Sequence, residues 1–250
     1  MRLGHTASAD EAVREVFDDF GDTEAVEAGI VSLSFRGGTA LHKLHLAPAM
    51  RYSEDIDLVQ TTPAPIGPLL DIIRAQMEPW LGAAKRWKQT ALIYRFMTET
   101  KPSVPMRLKI EINTREPFTR LGVIDTPFKV ESPWFTGAAN LRTFALEELI
   151  GTKLRALYQR RKGRDAFDLA HALDLHPQLD RQEVVGCFAA YMVRAGPVPR
   201  RAEFEGNLAD KRRNPDFMSD MRTLLHPRYG RDDPEHALTQ IEEQFIARLL

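Results

Sequence analysis

Phe35-Arg36-Gly37-Gly38-Thr39, followed by Arg51-Tyr52-Ser53-Glu54-Asp55-Ile56-Asp57-Leu58, decides how the rest of the chain is read. Ahead of it, Val31-Ser32-Leu33-Ser34-Phe35 alternates with period two, so a strand runs into the glycine pair. Thr39 to Leu46 resumes helical spacing through Leu41 and Leu44, and Pro48 stops it. A strand, a glycine turn and a helix start can hold phosphates. The glycines let the backbone come close with its N–H groups exposed, and the helix adds the positive end of its dipole. The Thr39 and Ser53 hydroxyls are further donors. A second strand runs from Asp55 to Val59. Side chains alternate across a strand, so Ile56 and Leu58 take one face while Asp55 and Asp57 take the other. Aspartates at i and i+2 lie ~7 Å apart, within reach of a shared metal pair.

A third carboxylate is available. Met106-Arg107-Leu108-Lys109-Ile110-Glu111-Ile112-Asn113 alternates cleanly, with Leu108, Ile110 and Ile112 facing a core. Glu111 lies on the opposite face. Magnesium takes carboxylate oxygens, and two such ions manage attack on an α-phosphate and departure of pyrophosphate. A lone Gly-Gly is commonly a tight turn, a lone Asp-x-Asp a solvated face, and a lone Glu a surface residue. The combination in this order favours a metal-dependent nucleotidyl transfer over those separate readings.

The flanking chain predicts an α+β fold: a mixed sheet with helices over residues 1–140, then an all-helical domain over 141–250 that completes the active-site cleft. Helical spacing covers residues 8–29 in one or two pieces, and 66–81 through Leu69, Leu70, Ile73 and Met77. Residues 85–98 read as one strand. Residues 117–141, rich in Pro and Gly, read as loops and short strands that lead out of the sheet. From Ala145 onward the pattern is helical. Leu146, Leu149, Ile150, Lys153, Leu154 and Leu157 mark a helix that Gly163 is placed to stop. Further helices follow over 165–175, 181–194 and 234–250. Lys153 interrupts an apolar face, so it needs a partner. Asp168 or Asp165 on the next helix can supply one. A purely structural ion pair, and Asp165 as a helix cap, are the plainer alternatives.

Several features point nowhere special. The 250 residues are 43% hydrophobic and 28% charged, with a net charge of −1, as in ordinary soluble proteins. Cys187, the single cysteine, sits in an apolar run and reads as a buried thiol suited to a reducing cytoplasm. No apolar run approaches the ~20 residues that span a bilayer, and the first residues lack the apolar core of a signal peptide. The expected location is cytoplasmic, with no membrane partner. His42 and His45 have ligand spacing, but no Cys or acidic neighbour completes a zinc set, so they read as surface or packing residues. Lys85-Arg86-Trp87-Lys88, Arg160-Arg161-Lys162-Gly163-Arg164, Arg200-Arg201 and Lys211-Arg212-Arg213 are basic clusters. Each suits a phosphate backbone about as well as a solvated helix end.

Phe35 to Lys43, Arg51 to Leu58, Leu146 to Leu157 and Arg164-Asp165-Ala166-Phe167-Asp168-Leu169 together resemble the AbiEii/AbiGii toxin family. That family is the enzymatic half of type IV toxin–antitoxin systems and is related to the polymerase-beta-like nucleotidyltransferases. The wider superfamily has Gly-Ser ahead of a shorter gap. Here Gly-Gly-Thr stands there, and 16 residues separate Gly38 from Asp55, which suits the toxin branch. The resemblance implies that Asp55 and Asp57 hold magnesium or manganese, and that Lys153 contacts the triphosphate of an NTP. It implies that Asp168 is an essential second aspartate orienting Lys153 or the nucleotide. Gly37, Gly38, Thr39, Arg51 and Ser53 then line the phosphate pocket. It implies an RNA acceptor, a tRNA 3′ end in known cases, with translation inhibited. It also implies a cognate antitoxin encoded nearby, either a repressor or a kinase acting on a toxin serine; Ser53 is a position where a phosphate would block the site. Transfer to a protein or small molecule, and a non-catalytic module that sequesters RNA or a partner, are the alternatives.

Overall fold

The structure is a computed structural model and describes residues 33–48, 50–51, 53, 55–98, 101–131, 136–223 and 234–250. The helices expected over 8–29, and the start of the first strand at Val31, lie outside the described residues. Seven strands form one mixed sheet in the order β3-β4-β5-β2-β1-β7-β6. They are β1 Leu33–Arg36, β2 Asp55–Gln60, β3 Lys85–Lys88, β4 Ala91–Met97, β5 Pro105–Asn113, β6 Val123–Glu131 and β7 Thr136–Phe144. Helix α1 is Gly37–Leu44 and α2 is Ile66–Leu81. The fold is α+β.

β2 is central. It runs antiparallel to β1, with Arg36 opposite Asp57, and parallel to β5, with Asp55 level with Lys109 and Asp57 level with Glu111. Ile56, Leu58, Leu92, Tyr94, Leu108, Ile110 and Ile112 are fully buried. α2 turns Leu69, Leu70, Ile73, Met77 and Leu81 inward and packs on β4. Burying each large apolar side chain is worth about 1.5–3 kcal/mol. A one-residue slip of β2 would put Asp55 and Asp57 in this core and Ile56 and Leu58 outside, so the apolar face fixes where the aspartates point.

Four sequence expectations change. Residues 85–98 form a hairpin, β3 and β4, because Gln89-Thr90 turns the chain and the register shifts between Arg86 and Lys88. Residues 117–141 do not leave the sheet. β6 and β7 pair along nine residues each, and β7 joins β1 in parallel at Phe35 and Thr143. Thr143 Oγ1 donates to the Phe35 carbonyl at 2.7 Å. β6 is an edge strand, where Pro127 costs no ladder bond that its neighbours need. α1 begins at Gly37, not Thr39. Gly163 stops no helix: α3, Leu146–Gln159, ends before it, and Gly163 opens α4, Gly163–Leu175.

Every described regular element after Ala145 is helical. α5 is Arg181–Ala195, α6 Arg201–Arg212, α7 Pro215–Thr223 and α8 Pro234–Gln244. A 3-10 turn at Ile246–Arg248 replaces the end of the long last helix expected. Asp180 caps α5 by accepting from the Glu183 N–H at 2.9 Å. α3 packs closely on α5: a Cβ at Gly151 would lie 2.6 Å from Cys187 Cβ. α4 packs on α7 and α8. Cys187 is buried, and burial pushes its thiol up to about 12. No helix among the described residues is long and apolar enough to cross a membrane.

Contacts divide the chain into two compact units. One holds the whole sheet: Met1–Ala40, Ser53–Thr119 and Val123–Phe144. The other takes Leu41–Tyr52, Arg120–Gly122 and Ala145–Leu250.

Candidate active site

In the sheet unit, Gly37 is required twice. Its φ of +82° is left-handed backbone, which glycine adopts without a steric cost. A Cβ there would also stand 2.2 Å from Asp57 Oδ2. The turn therefore serves to seat Asp57 as well as to expose backbone. Thr39 is buried. Its hydroxyl donates to the Asp55 carbonyl at 2.6 Å and lies 2.7 Å from the Ser53 hydroxyl. Thr39 and Ser53, read from sequence as phosphate donors, thus fix the backbone where β2 begins.

Asp55, Asp57 and Glu111 share one sheet face, as the alternation predicts. Sequence reasoning gave no role to Lys109 on that face. Its ammonium is hydrogen-bonded to Glu111 and stands 3.9 Å from Asp55 Oδ2. Burial would lower the Lys109 pKa, but the bond to Glu111 and the charges of Asp55, Glu111 and Asp57 outweigh it and raise it. Among the described residues no three His, Cys, Asp or Glu side chains form a ready metal cage. A divalent cation nonetheless fits the Asp55–Asp57 pair. Asp55 Oδ1 is buried with no hydrogen-bond partner among the described residues, so it is an acceptor that a cation can satisfy.

In the helical unit, Asp168 is the centre. It is 0% exposed, on α4. Arg51 grips it with both ends of its guanidinium: Nε donates to Oδ1 at 2.6 Å and Nη2 to Oδ2 at 2.7 Å. Lys153 Nζ lies 2.8 Å from Oδ2, and His42 Nε2 lies 2.8 Å from Oδ1. Burial pushes the Asp168 carboxyl up, but the Lys153 and Arg51 charges outweigh it and hold it well below its usual range. Lys153 also reaches Asp165 Oδ1 at 3.2 Å, and Arg160 binds both oxygens of Asp165 at 2.6 and 2.8 Å. Both aspartates on the next helix therefore partner Lys153, and Asp165 does more than cap α4. Arg51 and Lys153 are themselves buried.

His42 is neither a surface residue nor half of a zinc pair. It is 2% exposed, bonded to Asp168, and clustered with the near-parallel rings of Phe167 and His171, 6.5 and 6.3 Å away. Its only sequence signal was its place on the helix after the glycine turn. The Lys211-Arg212-Arg213 cluster is not a free cationic surface. Lys211 is buried against the Tyr158 carbonyl, Arg212 holds Glu242 and Glu235, and Arg213 holds Asp210. These partners lie outside the cluster in sequence, so a run of basic letters could not disclose them.

A family model for the nucleotidyl transferase AbiEii toxin of type IV toxin–antitoxin systems matches residues 28–238. The chain belongs to this family. Among solved structures, MenT4, a nucleotidyltransferase toxin from Mycobacterium tuberculosis, is similar. It shares 15% identity over 93% of this chain and 98% of its own, with a TM-score of 0.50. A candidate nucleotidyltransferase from H. pylori shares 20% identity over 95% and 92% of the two chains, with a TM-score of 0.49. No curated protein matches the sequence. At these identities the likeness to MenT4 concerns the fold. The family assignment itself gives an AbiEii-type nucleotidyltransferase toxin, and with it an NTP substrate and an antitoxin partner.

Proposed function

We propose that this AbiEii-family chain transfers a nucleotidyl group from an NTP to RNA, at a tRNA 3′ acceptor end, and so inhibits translation in the cytoplasm. The acceptor hydroxyl oxygen forms a bond to the α-phosphorus. The bond from that phosphorus to the oxygen bridging to the β-phosphate breaks, pyrophosphate leaves, and the hydroxyl proton passes to solvent. The observation that carries the reading is the Asp55–Asp57 pair on one face of β2, with Asp55 Oδ1 buried and unpartnered among the described residues.

Asp55 and Asp57, with Glu111 as third carboxylate, hold magnesium or manganese. When bound, the metal supplies charge neutralisation at the phosphates and activates the acceptor oxygen. Glu111 must exchange its bond to Lys109 to join them. Gly37 and Gly38 present backbone N–H groups to phosphate, and Thr39 and Ser53 hold β2 in place. Lys153 contacts the triphosphate. Asp168, held by Arg51 and His42, fixes the Lys153 ammonium and is a positioning residue.

The test is incubation with each α-labelled NTP, magnesium or manganese, and total tRNA. tRNA should carry the label. Asp55→Ala should abolish it, and the exposed-site variant Lys101→Ala should not. A wild-type protein that labels no RNA with any NTP refutes the proposal.

A further inference from the structure

Arg95 in β4 and Arg107 in β5 stand directly opposite each other in the antiparallel register. Like charges placed opposite across strands destabilise a sheet. Both are exposed, and neither makes a hydrogen bond or ion pair to another described residue. Several surface arginines are paired, Arg120 with Glu183, Arg201 with Glu205 and Arg212 with Glu242, but no two of these stand opposite each other in a ladder. An arginine pair that no described residue neutralises carries a cost in folding that an anionic ligand would offset.

The register says where the pair lies. Asp55 is level with Lys109 and Asp57 with Glu111, so all four side chains share a sheet face. Along β5 that face presents Glu111, Lys109 and Arg107 in steps of ~7 Å. Arg107 is one step beyond Lys109, and Arg95 is its neighbour on the next strand. On β3, Lys85 pairs with Ile93 and is exposed on the same face. The charge along β5 thus runs from the carboxylates through one lysine to the arginine pair. The cavity of about 300 Å³ at the strand ends takes Arg95, Met97, Pro105 and Arg107 from this face, while Phe96 and Met106 alternate to the other. Guanidinium groups bind phosphate bidentately, in a fork that a point charge does not offer.

We propose that Arg95 and Arg107 clamp the phosphodiester backbone of the acceptor RNA on the face that carries Asp55 and Asp57. The assignment rests on the RNA-acceptor reading above. It is tested with a fluorescein-labelled RNA hairpin bearing a single-stranded 3′ end, by anisotropy, from about 50 to 200 mM NaCl. Arg95→Gln/Arg107→Gln should bind roughly tenfold more weakly, with the slope of log K against log salt reduced by about 1.4 for two single-strand phosphates lost. Its KM for NTP should stay within twofold of wild type. Its melting temperature should equal or exceed that of wild type, since the like-charge contact is relieved. An unchanged RNA affinity and salt slope overturns the clamp alone. A raised KM for NTP with RNA binding intact assigns the arginines to the triphosphate and also overturns it. Wild-type protein that binds no RNA, with label appearing on a polypeptide instead, overturns both the clamp and the RNA-acceptor reading.

Discussion

Replacing Asp168 with asparagine keeps the shape of the side chain and removes its charge. The carboxylate is fully buried and receives Arg51 twice, Lys153 and His42, all between 2.6 and 2.8 Å. Without it, the Arg51 and Lys153 cations stay buried, and Asp165, already held by Arg160, is the nearest remaining anion in the cluster. Removing one partner from a buried ion pair costs about 3–5 kcal/mol. A domain has about 5–15 kcal/mol in total, so Asp168→Asn should fold but melt roughly 10 °C lower. Lys153→Met/Asp168→Asn should lose less than the sum of its single variants, because the double variant leaves one buried cation fewer. Urea unfolding followed by far-UV circular dichroism, without NTP or metal, measures both. The effect has a pH signature. Asp168 is held below the ordinary value of 3.8, so its contribution is complete above that pH. The gap between wild type and Asp168→Asn should shrink as pH falls below 3.8 and vanish once the folded carboxyl is protonated. A variant within 1 kcal/mol of wild type, or strictly additive variants, would refute the reasoning.

Gly37→Ala should displace Asp57, since the new Cβ meets Asp57 Oδ2 at 2.2 Å in left-handed backbone; transfer should fall ~100-fold or more, measured by NTP incorporation in protein shown to be folded. Lys211 is buried against the Tyr158 carbonyl, and burial, with Arg161 nearby, lowers it from 10.5 to about 8. The unfolded chain therefore holds that proton more tightly, and stability should rise with pH between about 8 and 10.5. Lys211→Met should flatten that rise and stabilise at neutral pH by about 1–3 kcal/mol, read from urea midpoints. Ser53→Asp places a negative charge two residues before Asp55. It should abolish transfer in protein shown to be folded by circular dichroism, and full activity would remove Ser53 as a regulatory site. Manganese titration by electron paramagnetic resonance should show binding lost in Asp55→Asn and retained in folded Asp168→Asn.

What the letters disclosed was what strand and helix periods encode. Ile56 and Leu58 must be inside, so Asp55 and Asp57 must be outside, and Lys153 on an apolar helix face must find an anion. The sequence could not disclose partners set by chain reversal. Arg51 meets Asp168 across 117 residues and His42 meets it across 126. β7 was obscure for a similar reason: its place beside β1 depends on a parallel pairing of Phe35 with Thr143, which leaves no local pattern. β6 was obscured by weak alternation, since its exposed edge demands little of its side chains.

The two aspartate centres separate by what their oxygens still lack. A carboxylate offers about four acceptor sites. In Asp168, Oδ1 takes Arg51 and His42 while Oδ2 takes Arg51 and Lys153, so all four are used by this chain's own donors. A metal ion could enter only by displacing a buried cation, at a cost no smaller than breaking the pair. Asp55 is the reverse. Oδ2 has Lys109 at 3.9 Å, beyond hydrogen-bond reach, and Oδ1 is buried with no partner among the described residues. An unsatisfied buried acceptor costs about 1–3 kcal/mol unless something binds it. Saturation suits a group that holds another side chain still, and deficiency suits a group that waits for a ligand. The bonding of Asp168 and Asp55 therefore supports the division of labour proposed for them.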